Sequence, residues 1–191
     1  MDIVTGTGRA ITASPDITMP LMRPTDSVSS PGICSANMTD TGPTDWTRYF
    51  AYGSNMSSER LRGRVPRARP QGRARLEGWI LRFDEHGRDG TAKASIARRP
   101  DACVWGVLHT SPRRQLGALH AAEDLGRGYA ARWLEVFHAM QGRALTYVGL
   151  LLCEGLSVAP WYLDHCLRGA VEQGLPSDYV AWLRGQAGVS R

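Results

Sequence analysis

The chain has 191 residues, 42% of them hydrophobic and 21% charged, with a net charge of +5. Those proportions fit a globular domain with length to spare, and no apolar run approaches the ~18 residues a membrane-spanning helix needs. The four cysteines, Cys34, Cys103, Cys153 and Cys166, form no CxxC pair and follow no secretory signal, which predicts reduced, mostly buried thiols in a cytoplasmic protein.

Charge is unevenly spread. Residues 1–45 hold two arginines against five aspartates, a net −3, so the remainder carries +8; Lys93 is the sole lysine. The same stretch is rich in Thr, Ser, Pro, Gly and Asp and has no aromatic side chain. It cannot bury enough surface to offset the entropy of ordering, so residues 1–45 read as a disordered tail and residues 46–191 as the folded domain. An organelle-targeting peptide has the opposite charge balance. Met38 offers an alternative start shortly before the first strand, which leaves open whether residues 1–37 belong to the natural product.

The domain opens on Tyr49-Phe50-Ala51-Tyr52-Gly53-Ser54-Asn55-Met56. Its aromatic and small apolar residues predict a buried strand at about 48–52. Gly53 permits a turn that a residue with a Cβ resists, Ser54 and Asn55 can cap, and a helix follows at about 56–62. A strand running into a helix start leaves N–H groups free at one point, which suits a carboxylate or a phosphate. Seven arginines then fall between Arg60 and Arg75. They invite a nucleic-acid reading, but the run lacks aromatic side chains to stack bases, and Gly63, Pro66, Pro70 and Gly72 predict a solvated loop instead.

Strands are predicted at about 74–83, 92–97 and 104–110, the first contributing Leu76, Trp79, Leu81 and Phe83 to the core with Gly78 at a bulge. Asp84 to Gly90 reads as a polar turn. Asp84, Glu85 and His86 are adjacent in it, and such neighbours rarely converge on a metal. Ser111-Pro112 opens a helix at about 112–122 with Leu116, Leu119 and Ala122 inward. Glu123 ends it, where the helix dipole disfavours a carboxylate. That conflict hints at a function; the plainer reading is a solvated Glu at a frayed end. A hairpin at 129–139 and 143–153 turns near Gln141-Gly142, and its most apolar segment, Val148 to Cys153, suits burial. Pro160 opens a helix over Trp161–Glu172, ended by Gly174, with Leu163, Cys166, Leu167, Ala170 and Val171 as its apolar stripe and Tyr162 in its first turn. A last helix begins at Pro176-Ser177 and turns Tyr179, Trp182 and Leu183 inward. Strands and helices mix without strict βαβ alternation, so the predicted class is α+β, a mixed sheet of about six strands in a small barrel flanked by helices.

Tyr-Phe-Ala-Tyr-Gly-Ser-Asn-Met resembles the signature of the γ-glutamylcyclotransferases of the AIG2-like superfamily, and the resemblance runs from about 48 to 187. Leu76 to Phe83 and Val104 to Leu108 look like two of the family's strands. Leu119-His-Ala-Ala-Glu123, followed by Gly126 and Tyr129, is similar to its catalytic segment. Gly174-Leu175-Pro176-Ser-Asp-Tyr179 also matches. The resemblance implies that Glu123 is the general acid/base, that Tyr49, Phe50, Ala51, Tyr52, Gly53, Ser54, Asn55 and Tyr162 contact substrate, and that Tyr129 lines the pocket. Ser54-Asn55 looks more like the γ-glutamyl amino acid branch than the glutathione-specific or γ-glutamylamine branches. Asp124 stands where the family often has Gly, and a second carboxylate there would raise the Glu123 pKa or mark a different substrate.

The implied reaction closes a γ-glutamyl group to 5-oxoproline and releases the attached amino acid, peptide or amine, with no metal or organic cofactor. The expected partner is thus a small γ-glutamyl substrate, with no membrane involved and the protein a monomer or homodimer. Other readings remain: a related acyl-transfer or cleavage activity, a non-catalytic binder of small anions with the same fold, or nucleic-acid binding through the arginine run. Ser54 as a hydrolase nucleophile fits worse, because Tyr52 and Met56 stand where a nucleophile elbow has glycines.

Overall fold

The computed structural model describes residues 45–139 and 141–187. The predicted tail, with Cys34 and Met38, lies outside the described residues. Five strands close into a barrel in the order β1-β3-β2-β4-β5. These are β1 (Trp46–Ala51), β2 (Arg69–His86), β3 (Ala92–Pro112), β4 (Tyr129–Phe137) and β5 (Gln141–Gly149). Four α-helices accompany them: α1 (Ser58–Arg64), α2 (Leu116–Ala122), α3 (Pro160–Glu172) and α4 (Ser177–Arg184). Strand β1 is antiparallel to β3 and closes the barrel by a parallel contact, Tyr49 with Leu145 of β5.

The α+β class and barrel stand as predicted; the strand count is five rather than six. The two strands expected at 92–97 and 104–110 are halves of one. The β2–β3 register steps from Glu77↔Cys103 to Trp79↔Arg98, so residues 99–102 are extruded opposite Gly78. Gly78 has φ +75°, the left-handed conformation a bulge residue adopts without a Cβ penalty. Long β2 also corrects the arginine run. Arg60, Arg62 and Arg64 lie on α1, and the run from Arg69 onward lies on β2. No solvated loop of that length exists.

Other expectations change with orientation. Strand β3 runs on through Pro112, so α2 begins only at Leu116 after a 3₁₀ turn at Arg113–Gln115. Leu119 is buried, but Ala122 is exposed. Val171 of α3 is 60% exposed, Leu150, Leu151 and Leu152 are about half exposed, and the neighbouring Cys153 is exposed too. The apolar run after β5 is therefore not a buried strand: β5 stops at Gly149. Cys166 is buried and Cys103 partly so. Asp84 and Glu85 do not sit in a polar turn. They end β2 and are 5% and 1% exposed.

Two contacts bring the barrel and α3 together at the site. Gly169 of α3 lies against the backbone of Met56 and Ser57, where a Cβ would overlap both. Cys166 and Ala170 beside it are fully buried. These small residues let α3 approach the end of β1, and Pro160 at its first turn fixes where the helix starts. Phe50, with no exposed surface, anchors β1 in the core, and such burial is worth about 1.5–3 kcal/mol.

Candidate active site

The segment after β1 forms a 3₁₀ turn at Ser54–Met56, and the cap of α1 is Ser57, whose hydroxyl accepts from the Arg60 N–H at 3.4 Å. Gly53 has φ −113°, so torsion is not why glycine stands there. Space is the reason. A Cβ at Gly53 would lie 2.8 Å from the Tyr162 hydroxyl and 3.1 Å from Ala94 Cβ.

Across this turn sits Glu123. Its backbone N–H closes α2 on Leu119 O at 3.0 Å, and its carboxyl points into the protein, 14% exposed. Oε1 accepts from Asn55 Nδ2 at 2.7 Å and from Arg64 at 2.9 Å. Asn55 also donates to the Tyr49 hydroxyl at 3.0 Å and accepts from Arg64 at 2.9 Å. Among the described residues Oε2 has no partner, so it is the oxygen free to accept a further proton or hydrogen bond. Burial raises the Glu123 pKa, against the pull of Arg64 and Asn55. The frayed-end reading of Glu123 therefore fails.

Glu123 faces a small inner pocket of about 30 Å³, walled by Tyr49, Tyr52, Gly53, Ser54, Asn55, Ala94, Tyr129, Tyr147 and Tyr162. The Tyr162 hydroxyl accepts the N–H of Ala94 at 3.0 Å. Its own proton must then be donated elsewhere. Tyr129 donates to Ala94 O at 2.8 Å, Tyr52 to Tyr147 O, and Tyr147 pairs with His120 at 2.8 Å. Burial pushes the phenols of Tyr49, Tyr52, Tyr129, Tyr147 and Tyr162 up, so they stay neutral. The pocket opens past Ser54, Glu123, Tyr129 and Tyr162 into an outer cavity of about 290 Å³, whose far walls include Arg60, Glu85, Lys93 and Trp161.

Of the predicted site residues, Tyr49, Tyr52, Gly53, Ser54, Asn55, Glu123, Tyr129 and Tyr162 converge on the inner pocket. Phe50 and Ala51 do not: both are buried in the core and line neither chamber. Asp124 does not act on Glu123. It has φ +49°, a left-handed position after the helix where glycine fits most easily, and its carboxylate pairs with Arg88 at 2.6 Å. The pairing with Arg88 holds the Asp124 pKa down. Reading from sequence missed Arg60, Arg64, Tyr147 and Glu85. Arg60 and Arg64 are four residues apart, one face of a helix, a signal lost by ending the helix at 62. Among the described residues no cluster of His, Cys, Asp or Glu could hold a metal, and no helix is long and apolar enough to cross a membrane.

Comparison with known proteins places this chain in a family. A profile of the AIG2-like family matches residues 103–183. The human gamma-glutamylcyclotransferase is 33% identical over 153 residues, spanning 75% of this chain and 81% of that protein. The mouse gamma-glutamylcyclotransferase is 31% identical over 146 residues, spanning 71% and 76%. The solved structure of a gamma-glutamyl cyclotransferase superposes with a TM-score of 0.68 at 27% identity, covering 73% of this chain and 86% of that one. The chain belongs to the gamma-glutamylcyclotransferase family, an enzyme family of AIG2-like fold.

Proposed function

We propose that the protein cyclises the γ-glutamyl group of a small substrate, releasing 5-oxoproline and the attached amino acid, peptide or amine. The observation that carries this reading is the Glu123 carboxyl, buried at the pocket mouth with Oε1 fixed by Asn55 and Arg64 and Oε2 left over. The substrate α-ammonium gives a proton to Oε2. The freed amine attacks its own γ-carbonyl, forming the ring C–N bond. The tetrahedral centre collapses as Glu123 returns its proton to the leaving nitrogen and that bond breaks, and the second proton of the attacking nitrogen passes through the same carboxyl to the departing amine, which leaves as an ammonium. Atoms balance without water.

The environment suits each step. A solvated Glu near 4.3 is a poor base for an α-ammonium of roughly 7.7–8.0, and every unit by which burial raises it lowers the transfer cost by about 1.4 kcal/mol. Tyr162, whose hydroxyl accepts the Ala94 N–H, has its proton available for the developing oxyanion. Tyr52, Gly53, Ser54 and Asn55 shape the floor, and Tyr49 and Tyr129 brace it. The inner pocket holds about two waters, so the folded γ-glutamyl group occupies its mouth at the junction with the outer cavity. Holding amine and carbonyl together there removes much of the entropic barrier. Residues 46–191 form the catalytic domain in this account, a cytoplasmic one by its reduced cysteines, and glutathione-derived γ-glutamyl compounds are within its chemistry.

The test is 5-oxoproline release from γ-glutamyl-alanine. Glu123→Gln should keep the fold and lower the rate by about 10²–10⁴. A Glu123→Gln protein with undiminished release would end the assignment.

A further inference from the structure

The outer cavity is lined by eight charged side chains: four acids and four cations. Three pairs neutralise one another: Arg64 with Glu123 at 2.9 Å, Arg88 with Asp124 at 2.6 Å, and Lys93 with Asp89 at 2.7 Å. Glu85, the fourth acid, accepts the Leu151 N–H at 3.1 Å and so serves the backbone. Arg60 is the remainder. Among the described residues it has no ion pair.

Arg60 is nonetheless held in place. Its Nε donates to Ser54 Oγ at 3.0 Å, and its guanidinium lies 5.1 Å from the Trp161 ring centroid. Lys93 lies at the same distance from that ring. Ser54 uses one of five N–H donors, and the terminal nitrogens of the fork have no partner among the described residues. The side chain is half-buried, and burial together with neighbouring Arg64 pulls its pKa down, as befits a cation lacking an anion. A planar fork fixed at Nε and stacked on an indole is preorganised for a carboxylate.

Its position says which part of a substrate it meets. Arg60 lines the outer cavity and not the inner pocket. Under the cyclotransferase reading, on which this rests, the reacting carbonyl lies at Glu123 between the two. The γ-glutamyl half occupies the inner side, and the half that leaves needs the wider chamber. We infer that Arg60, braced by Ser54 and Trp161, is the specificity residue that binds a carboxylate on the leaving group. The protein is thereby set to favour γ-glutamyl compounds whose leaving half is an acid over neutral amides and amines.

The experiment compares γ-glutamyl-alanine with γ-glutamyl-alaninamide, which differ in that one charge. Wild-type kcat/KM should favour the acid by about 10- to 100-fold, the range of a charge-assisted contact. Arg60→Gln should collapse the ratio towards one, and Arg60→Lys should restore part of it. A ratio unmoved by Arg60→Gln overturns the inference. So does an equal loss on both substrates, which would put Arg60 on the γ-glutamyl carboxylate instead. Calorimetric binding of the same two compounds to Glu123→Gln, with and without Arg60→Gln, reads the preference without turnover. If no substrate turns over, the cyclotransferase reading fails by itself, and the binding ratio still decides for or against Arg60.

Discussion

The inner pocket and the outer cavity share Ser54, Glu123, Tyr129 and Tyr162, yet their walls differ in kind. The inner wall is a set of neutral phenols whose hydroxyls are tied to backbone and side-chain partners, around a single carboxylate. The outer wall is a set of charge pairs with one cation left over. The first arrangement holds a fixed geometry around a carboxyl whose proton affinity burial has raised. The second holds whatever differs between substrates. In a low-dielectric pocket an extra charge would be costly, whereas at a partly open rim pairs cost little and one unpaired charge can select. In the proposed reaction the proton transfers take place at Glu123, on the border of the two, and the choice of substrate falls to the outer wall.

The inner wall is the easier to break. Gly53→Ala places a Cβ 2.8 Å from the Tyr162 hydroxyl. Tyr162 must move, since Ala94 Cβ blocks the other side, and a displacement near 1 Å can cost about 10²-fold in rate. A loss of about 10–100-fold in kcat with a stability loss of about 1–3 kcal/mol is expected, read by steady-state kinetics and urea unfolding. Normal kcat would mean Tyr162 is not positioned by this contact.

Glu85 sharpens the contrast from the outer side, because its role is structural. Burial pushes its carboxyl up from 4.5 to about 7, while the N–H groups of Leu151 and Leu150 pull it back. The folded state thus holds the proton more tightly than the unfolded one. The stability this contributes is fully present below pH 4.5 and is lost as pH rises through about 7. Glu85→Gln, which mimics the protonated form, should flatten the fall in stability between pH 5 and 8, by about 1–3 kcal/mol in urea unfolding. An unaltered pH profile would mean that Glu85 titrates no differently when folded.

Asp124 gives the smallest effect. Asp124→Gly relieves a positive φ and removes an exposed pair with Arg88, so the two changes oppose each other. The midpoint of urea unfolding should barely move, since an exposed pair contributes little. A larger loss would show that the Arg88 pair holds the rim together.

How much of this could be read from the chain follows the same division. Tyr52 to Asn55 stood out along the sequence as a local motif, whereas Glu123 and Tyr162 were singled out only by the family resemblance, since a carboxylate at a helix end reads more plainly as a solvated terminus. The bulge at Gly78 was legible because glycine inside an apolar alternation has few other uses. Phe50 and Ala51 share the motif but are buried in the core and line neither chamber, a distinction that a motif read along the chain does not carry. Arg60 and Glu85 were hidden because their roles come from closure. Arg60 meets Trp161 of α3, about a hundred residues on, and Glu85 meets Leu151. The leucines at 150–152 misled because apolar character does not say which way a backbone turns when a buried carboxylate draws its N–H groups inward.

The central claim is that Glu123 drives ring closure within the substrate rather than attack by water. The most direct measurement is mass analysis of the product from γ-glutamyl-alanine in heavy-oxygen water, for the wild type and for Glu123→Gln. The account predicts 5-oxoproline carrying no solvent oxygen from the wild type, and almost none of it from the variant. Glutamate bearing solvent oxygen, or equal 5-oxoproline from both proteins, would contradict it.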